Sequence, residues 1–202
     1  EGAACDDGTS CTVGEFCSGG TCGGGTGPAV YFSEDFSDNS AGWVLGPEWQ
    51  IGPATQGMTM GFGFPDPDAD HSASSDDGVA GTVIGGDVSV NQHDYAYIES
   101  PAFDSSAAQG KVILGYYRWL NSDSDPYMHN RVEVWNGAQW ITVWASGQFF
   151  QEFGWTYVQH DISNYKNAAM RVRFGFDVKQ FEFSPFSGWN IDDVLVASQA
   201  CP

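Results

Sequence analysis

Met170-Arg171-Val172-Arg173-Phe174-Gly175-Phe176 alternates apolar and polar residues without a break. A two-residue side-chain repeat puts Met170, Val172, Phe174 and Phe176 on one face and both arginines on the other. The stretch is therefore a strand with one buried and one wet face. Arg131-Val132-Glu133-Val134 repeats the pattern, with Glu133 in the outward phase. Asn136-Gly137, just after Trp135, is a strong signal for a hairpin turn, whose central residues need positive φ. Working outward, strands are expected at 29–36, 81–84, 95–100, 111–120, 131–135, 139–145, 155–162, 170–178 and 191–197. No window carries a sustained 3.6-residue stripe. Strands at this density, with turn residues between them, predict an all-β fold, a two-sheet antiparallel sandwich.

Residues 52–77, containing GMTMGFGFPDPDADHSASSDD, break the pattern. The segment is too long for a tight turn, and loops of this size in compact domains usually work or bind something.

The chain of 202 residues carries 26 acidic and 7 basic side chains, a formal charge of −19. Every Lys and Arg lies within 111–202. Such a surface repels phosphates, so no nucleic-acid partner is expected, and it favours divalent cations. No apolar run approaches the ~18 residues that cross a bilayer, so membrane insertion is not expected either. No signal-peptide pattern opens the chain, and any export signal is expected to have been removed.

Four cysteines crowd one end: Cys5, Cys11, Cys17 and Cys22, spaced C-x5-C-x5-C-x4-C among Gly, Ser, Thr and Asp. Zinc sites favour C-x2-C pairs and nearby histidines, and the nearest histidine is His71. The reading is a small N-terminal disulfide-rich microdomain, residues 1–26, with two bridges and three pairings open. Gly-rich GGGTG at 23–27 then leads into the β domain, 27–202. Disulfides place the protein in an oxidising compartment, secreted or extracellular. Cys201 is the odd one out. It bonds one of the first four inside the chain and leaves another thiol unpaired, stays reduced, or forms an intermolecular disulfide.

The segment CDDGTSCTVGEFCSGGTC resembles the short Cys-rich repeats of secreted multi-domain bacterial proteins. A second resemblance covers 31–197. Phe32-Ser33-Glu34-Asp35-Phe36, Gly42-Trp43, Trp49-Gln50-Ile51-Gly52, Asp70-His71-Ser72 and Tyr97-Ile98-Glu99-Ser100-Pro101 come in order. Tyr117-Arg118-Trp119-Leu120, Val132-Glu133-Val134, Trp140-Ile141-Thr142-Val143-Trp144 and Gly188-Trp189-Asn190-Ile191-Asp192-Asp193-Val194 follow. In that order they resemble the MAM-like, concanavalin A-like jelly-roll domains, including the C-terminal domain of immune inhibitor A-type metallopeptidases. The resemblance implies a jelly roll with first and last strands adjacent, one structural calcium, and a role in adhesion, carbohydrate contact or assembly.

If those terminal strands pair, Glu34-Asp35 and Asp192-Asp193 face each other, and buried like charges need a cation or a proton. The expected calcium ligands are Asp35, Asp70 and Asp193, helped by Glu34, Asp192 or backbone carbonyls. A local EF-hand-type loop from Asp66 is a poor fit, since His71 stands where that loop needs Gly and Asp77 where it needs Glu.

Catalytic motifs are missing: no G-x-S-x-G elbow, H-E-x-x-H or P-loop occurs, and the four histidines are scattered. The chain is expected not to be an enzyme. Six phenylalanines fall in two irregular segments, Phe149, Phe150 and Phe153, then Phe181, Phe183 and Phe186. They either form an exposed patch for a partner or pack on each other and cap the sandwich. Three functions follow. The first is an extracellular structural or adhesive subunit that assembles with copies of itself, as a filament or surface layer. The second is a carbohydrate-binding module for an extracellular glycan. The third is an ancillary domain of a secreted hydrolase.

Overall fold

The structure is a computed structural model that describes every residue except 1, 6–10, 13–14, 58–61, 73, 182–183, 200 and 202. Its strands are β1 (Phe16–Ser18), β2 (Thr21–Gly23), β3 (Val30–Glu34), β4 (Val44–Leu45), β5 (Trp49–Pro53), β6 (Gly78–Thr82) and β7 (His93–Glu99). The longer half of the chain gives β8 (Ile113–Ser122), β9 (Met128–Trp135), β10 (Trp140–Ser146), β11 (Phe150–Gln151), β12 (Thr156–Asp161), β13 (Arg171–Val178) and β14 (Gly188–Ala197). One 3₁₀ turn, Ser163–Tyr165, follows β12.

The body is an all-β jelly-roll sandwich. A five-stranded sheet runs β10-β9-β13-β7-β4. A seven-stranded sheet runs β11-β8-β14-β6-β5, with β12 also on β8 and β3 also on β14. Pairing is antiparallel throughout. Each of the nine expected strands is present with its ends shifted by a few residues. The Asn136-Gly137 turn joins β9 to β10: Gly137 has φ +96°, and Asn136 Oδ1 accepts the amides of Ala138 and Gln139, each at 2.9 Å.

Alternation decides which side chains meet between the sheets. Val132 and Val134 from β9, Val172, Phe174 and Phe176 from β13, and Ala96 and Ile98 from β7 face Leu114, Tyr116, Leu120, Trp189, Ile191, Val194 and Val196. Trp189 is the hub, fully buried, with ring centres 5.7 Å from Phe174, 5.9 Å from Trp144 and 6.1 Å from Trp49. Burying side chains this large contributes roughly 2–3 kcal/mol each.

Two bulges change which way residues point. Between Thr142 and Trp144 the β10–β9 register slips, so Trp140 and Thr142 face outward while Trp144 turns into the core. In β14 the register slips between Asp192 and Leu195, and Asp193 takes φ +48°, a conformation Asp tolerates better than most residues.

At the N-terminal end, β1 and β2 form a hairpin with Cys17 opposite Cys22. The bridges are Cys5–Cys22 and Cys11–Cys201, and Cys17 is a free thiol. This corrects the expectation of two bridges confined to the first four cysteines, and it removes Cys201 as an intermolecular link. The reason is topological: β3 pairs with the end of β14, so both ends of the body leave at the same place and Cys11 reaches Cys201.

Candidate functional site

The acidic pairs do meet where the terminal strands join. Val194 pairs with Glu34, and the open cleft beside them, about 510 Å³, is lined by Glu34, Asp35, His71, Tyr117 and Asp193, with Cys201 at its edge. The carboxylates there are occupied by donors. Glu34 accepts the Phe36 amide at 3.0 Å and the Trp43 indole N–H at 2.9 Å. Asp35 accepts the Ser37 amide at 3.1 Å. Asp70 takes the hydroxyls of Ser72 and Ser74. Asp192 accepts the amides of His71 at 2.8 Å and Ser72 at 3.4 Å on one oxygen, and that of Asp193 at 2.7 Å on the other. Asp193 contacts His71 Nδ1 at 2.7 Å, and the His71 ring stacks on Tyr117. Burial, with the neighbouring Asp193 charge helping and the amides opposing, pushes Asp192 up to about 7. Among the described residues, no three His, Cys, Asp or Glu side chains gather as a metal site would need. The five expected calcium ligands thus surround one joint, where several of their oxygens accept N–H or O–H bonds.

The long loop serves that joint as a roof. Trp119 Nε1 donates to the Pro65 carbonyl at 3.1 Å, and Trp155 Nε1 to the Ala69 carbonyl at 3.3 Å. The Phe64 amide donates to Asn121 Oδ1 at 2.8 Å. Buried Asp66 ties the loop to the turn after β6, accepting the Gly85 amide at 2.8 Å and the Asn190 side-chain amide at 2.5 Å. Its burial pushes its carboxyl up to about 7 against those hydrogen bonds. The outer face of the seven-stranded sheet is therefore covered along Tyr117 and Trp119.

The outer face of the five-stranded sheet is different, and the sequence did not single it out. Tyr95 and Tyr97 of β7, Arg171 and Arg173 of β13, Arg131, Glu133 and Trp135 of β9, and Trp140 and Thr142 of β10 all point outward in register. Rings and guanidinium groups interleave: Arg173 lies 3.9 Å from the Tyr97 ring centre and 4.1 Å from that of Trp140, and Arg131 lies 3.7 Å from that of Tyr95. Trp135 and Trp140 meet edge to face at 5.6 Å, and Tyr95 and Tyr97 stack at 5.6 Å. The four rings are half-buried, so each keeps surface toward solvent.

Glu133 is the ionic centre of this face. The outward phase predicts a solvated residue, yet Glu133 is only 4% exposed. Arg173 Nε donates to it at 2.8 Å and Thr142 Oγ1 at 3.0 Å. Burial works to raise its carboxyl, but hydrogen bonds from Arg173 and Tyr97 and the Arg173 charge outweigh it and hold the group below the usual range. Arg171 pairs with Glu99, and Lys179 with Asp177 at 2.9 Å. Four of the seven Lys and Arg thus sit on one face, matched by carboxylates. The face is a nearly neutral island on a strongly acidic chain. Period-two alternation placed these side chains outward; the cross-strand neighbours that assemble them come from sequence-distant strands.

The two Phe segments divide. Phe186 is buried, and Phe150 packs on the core beneath Arg118, 4.8 Å from its ring centre. Phe149, Phe153 and Phe181 are 47%, 76% and 50% exposed. Phe149 and Phe62 both pack against Phe186, and Phe64 against Phe153. Phe183 lies outside the described residues. One segment thus packs on the other through Phe149 and Phe186, while Phe149, Phe153 and Phe181 keep surface in solvent.

Among the described residues no helix is long and apolar enough to cross a membrane. No family model matches the chain, and no curated protein matches it. Solved structures similar to it are all-β domains. The CBM22-1 xylan-binding domain from Paenibacillus barcinonensis Xyn10C is 12% identical, covering 86% of this chain and 97% of that one, with a TM-score of 0.46. The K3 cleaved adhesin domain of Lys-gingipain from Porphyromonas gingivalis is 12% identical over 83% and 98%, TM-score 0.45. The C-terminal CBM6 of LamC, a marine laminarinase from Zobellia galactanivorans, is 13% identical over 82% and 98%, TM-score 0.39. Likeness at this level carries no argument about what the chain binds.

Proposed function

We propose that this domain is a non-catalytic, extracellular carbohydrate-binding module, and that it binds glycan on the outer face of the five-stranded sheet. The observation that carries the reading is the interleaving of Trp135, Trp140, Tyr95 and Tyr97 with Arg131, Arg171, Arg173, Glu133 and Thr142 on one sheet face. A pyranose ring has an apolar C–H face, which adsorbs on aromatic rings, and a rim of hydroxyls, which bond to charged groups held in fixed positions. This face supplies both, on strands rather than loops, so little ordering entropy opposes binding. Its near neutrality also suits a ligand without net charge. Self-assembly into a filament has weaker support, because Cys201 is bonded to Cys11 and Phe150 and Phe186 are packed into the body.

The test is affinity electrophoresis and calorimetry against a panel of neutral polysaccharides, with Trp140→Ala and Tyr97→Ala as controls. Binding weakened at least about tenfold in both variants, with unfolding temperatures kept within a few degrees, is the expected result. Binding that survives both substitutions unchanged would overturn the assignment of the face.

A further inference from the structure

The proposed face is not uniform along its strands. At the Trp135 end the guanidinium groups are locked: Arg171 on Glu99, and Arg173 on Glu133 with Nε at 2.8 Å and Nη2 at 2.7 Å. At the other end Tyr95, His129, Arg131 and Lys179 surround an open pocket of about 590 Å³, walled by Ala145, Ser146 and Gly147. His129 is held on both ring nitrogens, by Asp177 at 2.9 Å and Asp125 at 2.7 Å.

Arg131 is the least tightly paired cation of the face. Its nearest carboxylate oxygen, on Glu133, is 3.5 Å away, and its Nε is sealed from solvent without an acceptor. The Tyr95 ring beneath it and the Tyr95 hydroxyl, which accepts a hydrogen bond from Arg131, fix the guanidinium. An arginine oriented by a ring, with its nearest carboxylate oxygen 3.5 Å away, can take a planar anion on its terminal nitrogens, and Lys179, paired with Asp177, lines the same pocket with its side chain 42% exposed.

Charge limits which anion fits. On a chain of −19 a polyanionic glycan meets repulsion from every other surface, and Glu133, Asp177, Asp94 and Asp125 stand behind the basic groups that line this pocket, so a single carboxylate is the most charge it can take. Resting on the carbohydrate-binding reading above, we infer that the Arg131 pocket is a subsite for the carboxylate of an isolated uronic acid carried by an otherwise neutral glycan.

The experiment uses paired probes. β-Linked gluco-, xylo- and manno-oligosaccharides, each bearing one glucuronic acid branch, are compared by calorimetry with their carboxyl-reduced counterparts, in low salt and in 0.5 M salt. The expected result is a roughly tenfold preference for the carboxylate form that shrinks in high salt and disappears in Arg131→Gln. Equal affinity of the wild-type protein for the two members of a pair overturns the subsite and leaves the glycan-binding face standing. Failure of every probe to bind overturns the face, and the subsite with it. The wild-type comparison is decisive even if Arg131→Gln folds poorly.

Discussion

The Tyr97 ring lies across Gly175. A Cβ at position 175 would stand 2.5 Å from Tyr97 Cδ1, and the two residues are direct partners in the β13–β7 ladder. The glycine is therefore the floor under the ring that Arg173 covers from above, and the level of the aromatic platform depends on a side chain that is missing.

Gly175→Ala should lift Tyr97 off the sheet and break its contact with Arg173. The expected cost is about 1–3 kcal/mol of stability, as for other overpacked sites, together with weaker glycan binding. Denaturant unfolding and calorimetry on the same variant read both. Unchanged stability would mean the ring has another resting place.

Glu133→Ala should leave Arg131 and Arg173 without their shared carboxylate. A fully buried broken pair costs about 3–5 kcal/mol, and the partial exposure of both arginines lowers the expected loss to roughly 2–3 kcal/mol. Chemical denaturation checks it. A loss below about 0.5 kcal/mol would show that the ladder is ornamental to folding.

Stability should fall as pH rises from about 4 to 7 through Asp66. Its carboxyl sits near 7 in the folded chain and at 3.8 when free, so between those values the folded state holds a proton the unfolded state has lost. The contribution is fully present below the unfolded value and gone above the folded one. Asp192 is raised to about 7 as well and adds the same slope, so Asp66→Asn should roughly halve the fall over that limb, measured by thermal unfolding from pH 4 to 8. A variant curve parallel to the wild type would remove Asp66 as its source.

Alkylation of the unreduced protein followed by peptide mapping should label Cys17 alone and recover the 5–22 and 11–201 cross-linked peptides. Cys201→Ser opens a loop of 190 residues, for which chain entropy predicts a loss of up to about 5 kcal/mol. A labelled Cys201 in the unreduced monomer would sink the pairing.

Much of this architecture was legible in the sequence, and the exceptions share a cause. Strands such as 170–178 announce themselves because one face is apolar, whereas β4 and β11 span two residues each and carry no period to read. Alternation told correctly that Glu133 points outward, but it cannot tell that Arg131, Arg173 and Thr142 arrive from neighbouring positions to bury it. Bulges defeat the period outright: Trp140, Thr142 and Trp144 read as one face, yet the slip after Thr142 sends Trp144 to Trp189. Facing acidic pairs at 34–35 and 192–193 followed from strand adjacency. The amides of His71 and Ser72 that satisfy Asp192 come from a loop whose path no local pattern encodes.

The Cys11–Cys201 bond also makes the body a mechanical bystander. With those two Cα atoms 5.2 Å apart, a pull applied on the N-terminal side of Cys11 and at Cys201 runs through sulfur and never loads the hydrogen bonds between β3 and β14. The sandwich then keeps its shape under tension as it does at rest, and reduction of one covalent link converts a shielded domain into one that bears the force.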